Sequence, residues 1–278
     1  MNITVFTDEL GLDVFEAAPH IKDWGAPYVD LRANINGKAV HLQSQEELKE
    51  LKKFLDDQGL AVACLESSLG KKHLPDAEAL EKEWATLEGL IQAADILDCR
   101  LIRSFYHWQP KRPQLGLLSS DDGLFNQVIE SFFPIAQKAH EAGLVLAFEN
   151  CGCHTHETHR VIEEFHRRGL SSCGQAWDVF HSFEEKPRDL RSFANSNAKH
   201  TKIIHVKAKR CTFLGDETSI PYTDIFRMVH STGYRGPVAI ETHNHDKALD
   251  NLEASHRLFR AVKAALVEAD VLTPQNDT

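Results

Sequence analysis

Leu-Val-Leu-Ala-Phe-Glu at positions 144–149 is an apolar, β-prone run that stops on a carboxylate, and three later runs carry a polar group at the same point. These are Gly-Gln-Ala-Trp-Asp at 174–178, Ile-Ile-His-Val at 203–206 and Val-Ala-Ile-Glu at 238–241. Each places a potential ligand for a hard divalent metal at a strand end: Glu149, Asp178, His205 and Glu241. The intervals are 29, 27 and 36 residues (178−149, 205−178, 241−205), about the length of one strand-plus-helix unit in a parallel barrel. A carboxylate ending a buried strand has no packing reason to be there. Its recurrence marks a site.

Working outward, strand-like runs at 3–6, 28–32, 60–65, 101–105, 144–148, 173–177, 203–206 and 237–240 alternate with helical patterns. The latter fall at 12–24, 44–58, 76–97, 124–142, 158–168, 187–198, 223–232 and 247–267. Such alternation is the mark of parallel βαβ construction. The second helix shows the logic: Ser44 and Glu47 form a capping box, Leu48, Leu51 and Leu55 share a face, and Gly59 supplies the left-handed end. Pro134 is expected to kink the fourth helix. No Gly-x-Gly-x-x-Gly turn follows the first strand and no second domain is visible. The expected fold is therefore α/β, a single (β/α)8 TIM barrel over residues 1–272 with a polar tail at 273–278.

With 278 residues, 42% of them hydrophobic, the chain suffices for one large core. A formal charge of −10 gives no basic field for nucleic acid or an anionic membrane. No apolar run reaches the ~20 residues of a membrane span and no basic leader opens the sequence. A soluble, cytoplasmic protein acting on a small molecule is expected, and a homo-oligomer is compatible with the sequence. The six cysteines make no disulfide framework and are expected to be reduced. Cys151-Gly-Cys-His-Thr-His156 lacks the second pair of a zinc finger, so Gly152 is read as permitting close backbone approach.

Catalytic groups of such barrels gather where the strands end. Glu149, Asp178, His205 and Glu241 would converge there as an oxygen-rich set suited to Mn²⁺, Mg²⁺ or Co²⁺. His181 would reach the same mouth and serve a substrate hydroxyl or a second metal. Arg32, Arg103 and Glu66, at the ends of earlier strands, would face it too, the arginines binding a substrate anion or pairing with the acidic ligands. The long connection 106–123, with Trp108, is a candidate lid over the substrate. His243 and His245 are read as mouth or surface residues.

These motifs, Phe148-Glu149-Asn150, Asp178-x-x-His181, His205-Val206-Lys207 and Ile240-Glu241-Thr242, resemble the xylose isomerase-like barrels, the sugar phosphate isomerases/epimerases, over nearly the whole chain. That family includes ketose 3-epimerases, hydroxypyruvate isomerases and inosose dehydratases. The resemblance implies that Glu149, Asp178, His205 and Glu241 bind a divalent metal, Mn²⁺ first, with Mg²⁺, Co²⁺ or Zn²⁺ as alternatives. It also implies that Glu149 and Glu241 are the proton-transfer pair. An epimerase arginine that contacts substrate beyond the seventh-strand histidine has Lys207 or Arg210 as its counterpart here.

The implied chemistry removes a proton next to a carbonyl of a ketose or related sugar, phosphorylated or acidic sugars included, through a metal-stabilised enediolate. A lyase, dehydrating an inosose or dehydroshikimate, would share that step and then expel a β-hydroxyl. Apurinic-site endonucleases share several of these residues. The stretch 207–215, however, lacks their Asp-x-His pair, and the net charge opposes DNA. A non-catalytic sugar-binding barrel leaves the ligand set unexplained.

Overall fold

The apolar runs assemble side by side into a closed parallel barrel in which every strand pairs with its sequence neighbour and the eighth returns to the first. The structure, a computed structural model, describes residues 1–185, 190–207, 220–244, 246 and 248–273, the side chain of residue 197 excepted. The strands are β1 (Asn2–Phe6), β2 (Tyr28–Leu31), β3 (Ala61–Glu66), β4 (Leu101–Ser104), β5 (Val145–Glu149), β6 (Gly174–Asp178), β7 (Thr201–Val206) and β8 (Pro237–Ile240). All eight coincide with the expected runs to within two residues at either end.

The helices among the described residues are α1 (Val14–Asp23), α2 (Gln45–Gln58), α3 (Ala77–Leu97), α4 (Leu117–Ser120), α5 (Asp122–Glu141), α6 (Thr155–Arg167), α7 (Val179–Glu185), α8 (Leu190–Asn197), α9 (Tyr222–Ser231) and α10 (Asn251–Glu268). The α2 ends are as expected: Ser44 and Glu47 cap each other and Gly59 takes φ 72°. Pro134 lies inside α5. Two short helices, α4 and α7, were not expected. The last helix begins at Asn251, capped by Asp250, rather than at 247, which lies outside the described residues. No described helix is long and apolar enough to cross a membrane. The N-terminal ammonium donates to the Val271 carbonyl at 2.6 Å, and the Thr273 amide donates to the Met1 carbonyl. Most of the expected tail, 274–278, lies outside the described residues.

Two cores result from the period-two alternation of strand side chains. One face of each strand packs on the helices in a large cluster that includes Val5, Val29, Leu65, Ile102, Phe148, Trp177, Ile204 and Ile240. The other face points into the barrel, where Phe6, Cys64, Ala147, Ala176, Ile203 and Ala239 cluster. Two residues on from five of these stand Glu66, Glu149, Asp178, His205 and Glu241, and two on from Leu101 stands Arg103. The same parity puts Asp30 and Lys207 inside. Alanines at three inner positions leave room for this ionic layer above them.

Away from the mouth, His200 precedes β7 at 6% exposure, its ring 5.6 Å from that of His159 and 5.5 Å from that of His166. Burial, then the charges of His159, Lys199 and His166, lower its pKa to about 4. An unfolded histidine titrates near ~6.5, so below that pH the unfolded chain takes up a proton that the native protein refuses. The resulting loss of stability grows as pH falls from about 6.5 to about 4. His200→Gln should flatten this acid decline by on the order of 2 kcal/mol, read as Tm against pH. Parallel pH profiles for variant and wild type would remove His200 as the cause.

Candidate metal centre at the barrel mouth

Parity and strand length together bring the predicted ligands to one end of the barrel. Glu149, Asp178, His205 and Glu241 are all 2% exposed or less. One ligand atom each from Glu149, His205 and Glu241 lies within 4.8 Å of the other two. Asp178 does not join that compact trio. Its Oδ2 lies 2.5 Å from the Lys207 ammonium, while Oδ1 accepts the His181 backbone N–H at 3.0 Å. Its backbone is held by Asn150, which accepts from the Asp178 N–H at 2.8 Å and donates to its carbonyl at 3.1 Å. Asp178 Oδ2, His205 Nδ1 and Glu241 Oε2 are buried and engaged by ion pairs, Asp178 Oδ2 with Lys207, and Glu241 Oε2 with His205 Nδ1 and Lys207 at 3.5 Å each. A buried oxygen-and-imidazole set of this kind fits a hard divalent cation.

Glu66, expected at the mouth, stands wholly buried behind His205, with Oε1 3.4 Å from Nε2. The other ring nitrogen, Nδ1, is 3.5 Å from Glu241 Oε2. This is the carboxylate–histidine arrangement that orients an imidazole ligand. Burial opposes a charge on His205, but Glu66 and Glu241 outweigh it and raise its pKa well above the usual value. Burial likewise opposes ionisation of Glu241, yet His205, His243 and Lys207 hold it well below the usual carboxylate range. Asp178 is also lowered, Lys207 and His181 overcoming burial.

Arg103 is 5% exposed and bridges the nest: Nε lies 3.1 Å from Glu66, Nη1 3.0 Å from Glu149 and 3.6 Å from Glu241. Arg32 sits at the rim, paired with Asp8 at 2.7 Å, Glu9 at 2.5 Å and Glu241 at 3.2 Å. Both arginines therefore pair with acids of the mouth. Lys207 reaches Asp178, Glu241 and Glu149 together, and its Nζ lies 3.2 Å from His181 Nε2. His181, on α7, has its pKa pushed up to about 9, Asp178 overcoming burial. Arg210 and His245 lie outside the described residues.

Trp108, expected to reach the substrate, is fully buried against His73, and Tyr106 is buried with its hydroxyl on Cys153 and Thr158. The reason is backbone pairing: Phe105 and His107 donate to the carbonyls of Leu69 and Gly70, and Leu74 donates to that of His107. Only the later part of the connection, with Pro110, Arg112 and Leu115, borders open space. It walls a cleft of about 770 Å³ shared with Asn150, His154, His181 and Glu185. Gly152 has φ 77°, so a left-handed backbone explains it, and an added Cβ would only touch Gln109 at 3.4 Å. The Cys151–His156 run does not form one cluster. Cys153 is half-buried against Tyr106, whereas His154 and His156 face Glu185 at 2.9 and 3.6 Å.

Sequence reasoning passed over Asp8, Glu9 and Asp30, and gave His243 no partner. His243 is 3.0 Å from Glu241. Asp30 is wholly buried, and burial and then Glu66 raise its pKa well above the usual value. Two-residue parity along β2 was the signal that marks Asp30 as inward-facing, whereas Asp8 and Glu9 lie on a 3-10 turn beyond β1, where that parity does not hold.

Among solved structures, the chain is similar to a D-psicose 3-epimerase from Clostridium cellulolyticum H10, determined with D-tagatose. The identity is 15%, with 97% of this chain and 98% of that one covered, and the TM-score is 0.70. It is similar also to an L-ribulose 3-epimerase at 16% identity, both chains covered in full, TM-score 0.69. A third is a xylose isomerase-like TIM barrel protein from Mycobacterium smegmatis in complex with magnesium, at 15% identity, 95% and 97% coverage and TM-score 0.65. At these identities the likeness is one of fold. No curated protein matches the sequence. A family model covers residues 18–262, and by that match the chain belongs to the xylose isomerase-like TIM barrel family.

Proposed function

We propose that the protein is a divalent-metal-dependent isomerase or epimerase of a ketose or related sugar, with Glu149 and Glu241 as its acid–base pair. The observation that carries this reading is the convergence of buried Glu149, His205 and Glu241 atoms within 4.8 Å at the mouth of a barrel of this family. Two neighbours in fold, a D-psicose 3-epimerase and an L-ribulose 3-epimerase, lend it support.

Glu149, Asp178, His205 and Glu241 would hold the ion, Mn²⁺ being the first choice. Once bound, it would polarise a carbonyl and so acidify the adjacent C–H. The chain's own residues do the rest. Glu241 is kept as a carboxylate by His205, His243 and Lys207, the form a base requires. Glu149 stands three strands away round the barrel, so the two carboxylates would reach a bound carbon from separate strands. Arg103 fixes Glu149 by a 3.0 Å hydrogen bond to Oε2. His181, charged near neutral pH and partly exposed, is placed to donate to a substrate hydroxyl.

The contact between His181 and Lys207 also favours a second reading, a lyase. His181, an acid at the mouth with the Lys207 charge beside it, would protonate a departing β-hydroxyl. One experiment separates them: incubation of ketoses, keto-inositols and their phosphates with Mn²⁺ in D₂O, followed by NMR. Deuterium uptake without elimination is expected, and loss of water would select the lyase. Absence of exchange throughout, with Mn²⁺ bound, would count against both.

A further inference from the structure

We propose that Lys207 is a tethered competitor of the divalent ion: its ammonium and the metal are alternative occupants of one carboxylate nest. This rests on the metal dependence proposed above. The Lys207 Nζ is 2.5 Å from Asp178 Oδ2, 3.5 Å from Glu241 Oε2 and 3.9 Å from Glu149 Oε1, and the side chain is 5% exposed. Those are three of the four expected ligands. An ion bound to the same oxygens at roughly 2.0–2.2 Å would fall in the space that Nζ holds. Two cations sharing three carboxylates at such range repel each other strongly. Asp178 cannot serve both equally.

Geometry explains why this lysine is in the nest at all. It lies two residues beyond His205 on β7 and its continuation, so alternation gives it the same inward face. Arg103 shares the nest but is pinned, with Nε on the Ser67 carbonyl at 3.1 Å and its guanidinium over the Phe6 and Phe105 rings. Lys207 ends instead in a compact charge on a flexible four-carbon stem. One cation is fixed along its whole guanidinium, whereas the other is held in the nest at its ammonium alone. Lys207 is thus a positioning residue that sets the affinity of the site and holds its acids together without an ion.

The test is calorimetric titration of Mn²⁺ into chelator-treated wild-type, Lys207→Gln and Lys207→Met protein at neutral pH, with Tm measured before and after addition. Both variants should bind Mn²⁺ at least about tenfold more tightly. Their Tm should be lower than wild type before addition and rise further on it. As a check that needs no variant, the Lys207 side-chain NMR signals of lysine-labelled wild type should shift on Mg²⁺ addition. Equal or weaker Mn²⁺ binding by both variants, or unmoved Lys207 signals while Mg²⁺ binds, overturns the competition and leaves the metal reading intact. No binding by any of the three proteins overturns the metal reading and this inference with it.

Discussion

Glu149→Gln and Glu241→Gln are each expected to slow deuterium exchange into substrate by about a thousandfold, the range for loss of a positioned acid or base. The substitution keeps shape and removes charge and basicity together, so loss of metal must be separated from loss of proton transfer. Asp178→Asn provides the contrast. In the proposed mechanism Asp178 holds the ion but moves no proton, so saturating Mn²⁺ should restore much of its activity. The glutamate variants should stay inactive at the same Mn²⁺ occupancy, measured by titration on the same samples. If excess Mn²⁺ restores exchange in both, the glutamates act as ligands only and another group carries the proton.

The barrel was legible because its two periodicities are local. Strand runs such as 144–149 and the Ser44–Glu47 cap carry their own signals, and these agree with the observed β5 and α2. Once the strands are placed, parity alone puts Glu66, Arg103, Glu149, Asp178, His205, Lys207 and Glu241 inside. What sequence did not supply is contact between distant segments. Trp108 looked like a lid residue until the backbone of 105–107 paired with 69–74, which turns it inward. The helix α7 starts directly at the end of β6, where Asp178 Oδ1 accepts the His181 N–H, and the junction is held by Asn150, 28 residues earlier, whose amide reaches Asp178 and Ser182. Lys207 was read as touching substrate because its distance from Asp178 depends on side-chain reach, which spacing does not encode.

The largest stability effect is expected at Arg103, because the barrel interior holds more acid than its cations can neutralise. Arg103→Met should cost about 3–5 kcal/mol, the penalty for leaving buried charge unpaired. The guanidinium stands between Glu66 at 3.1 Å and Glu149 at 3.0 Å, carboxylates 0% and 2% exposed. Removing it deprives both of their shortest ion pair where water cannot replace it, leaving Glu66 to His205 at 3.4 Å and Glu149 to Lys207 at 3.9 Å. Arg32→Met provides the comparison, since its side chain is 28% exposed and water can screen the acids it leaves, so about 1 kcal/mol is expected. Arg103→Lys should fall between, because an ammonium keeps the charge but not the fork that contacts two carboxylates and the Ser67 carbonyl. A second change, Glu66→Gln, should return part of what Arg103→Met removes by taking away one stranded charge. Denaturant midpoints for Arg103→Met, Arg32→Met, Arg103→Lys, Glu66→Gln and the double variant of Arg103→Met with Glu66→Gln decide the matter. Equal losses at Arg103 and Arg32 would mean that buried charge does not govern this layer, whereas a graded series ties the stability of the barrel to the same ion pairs that shape its mouth.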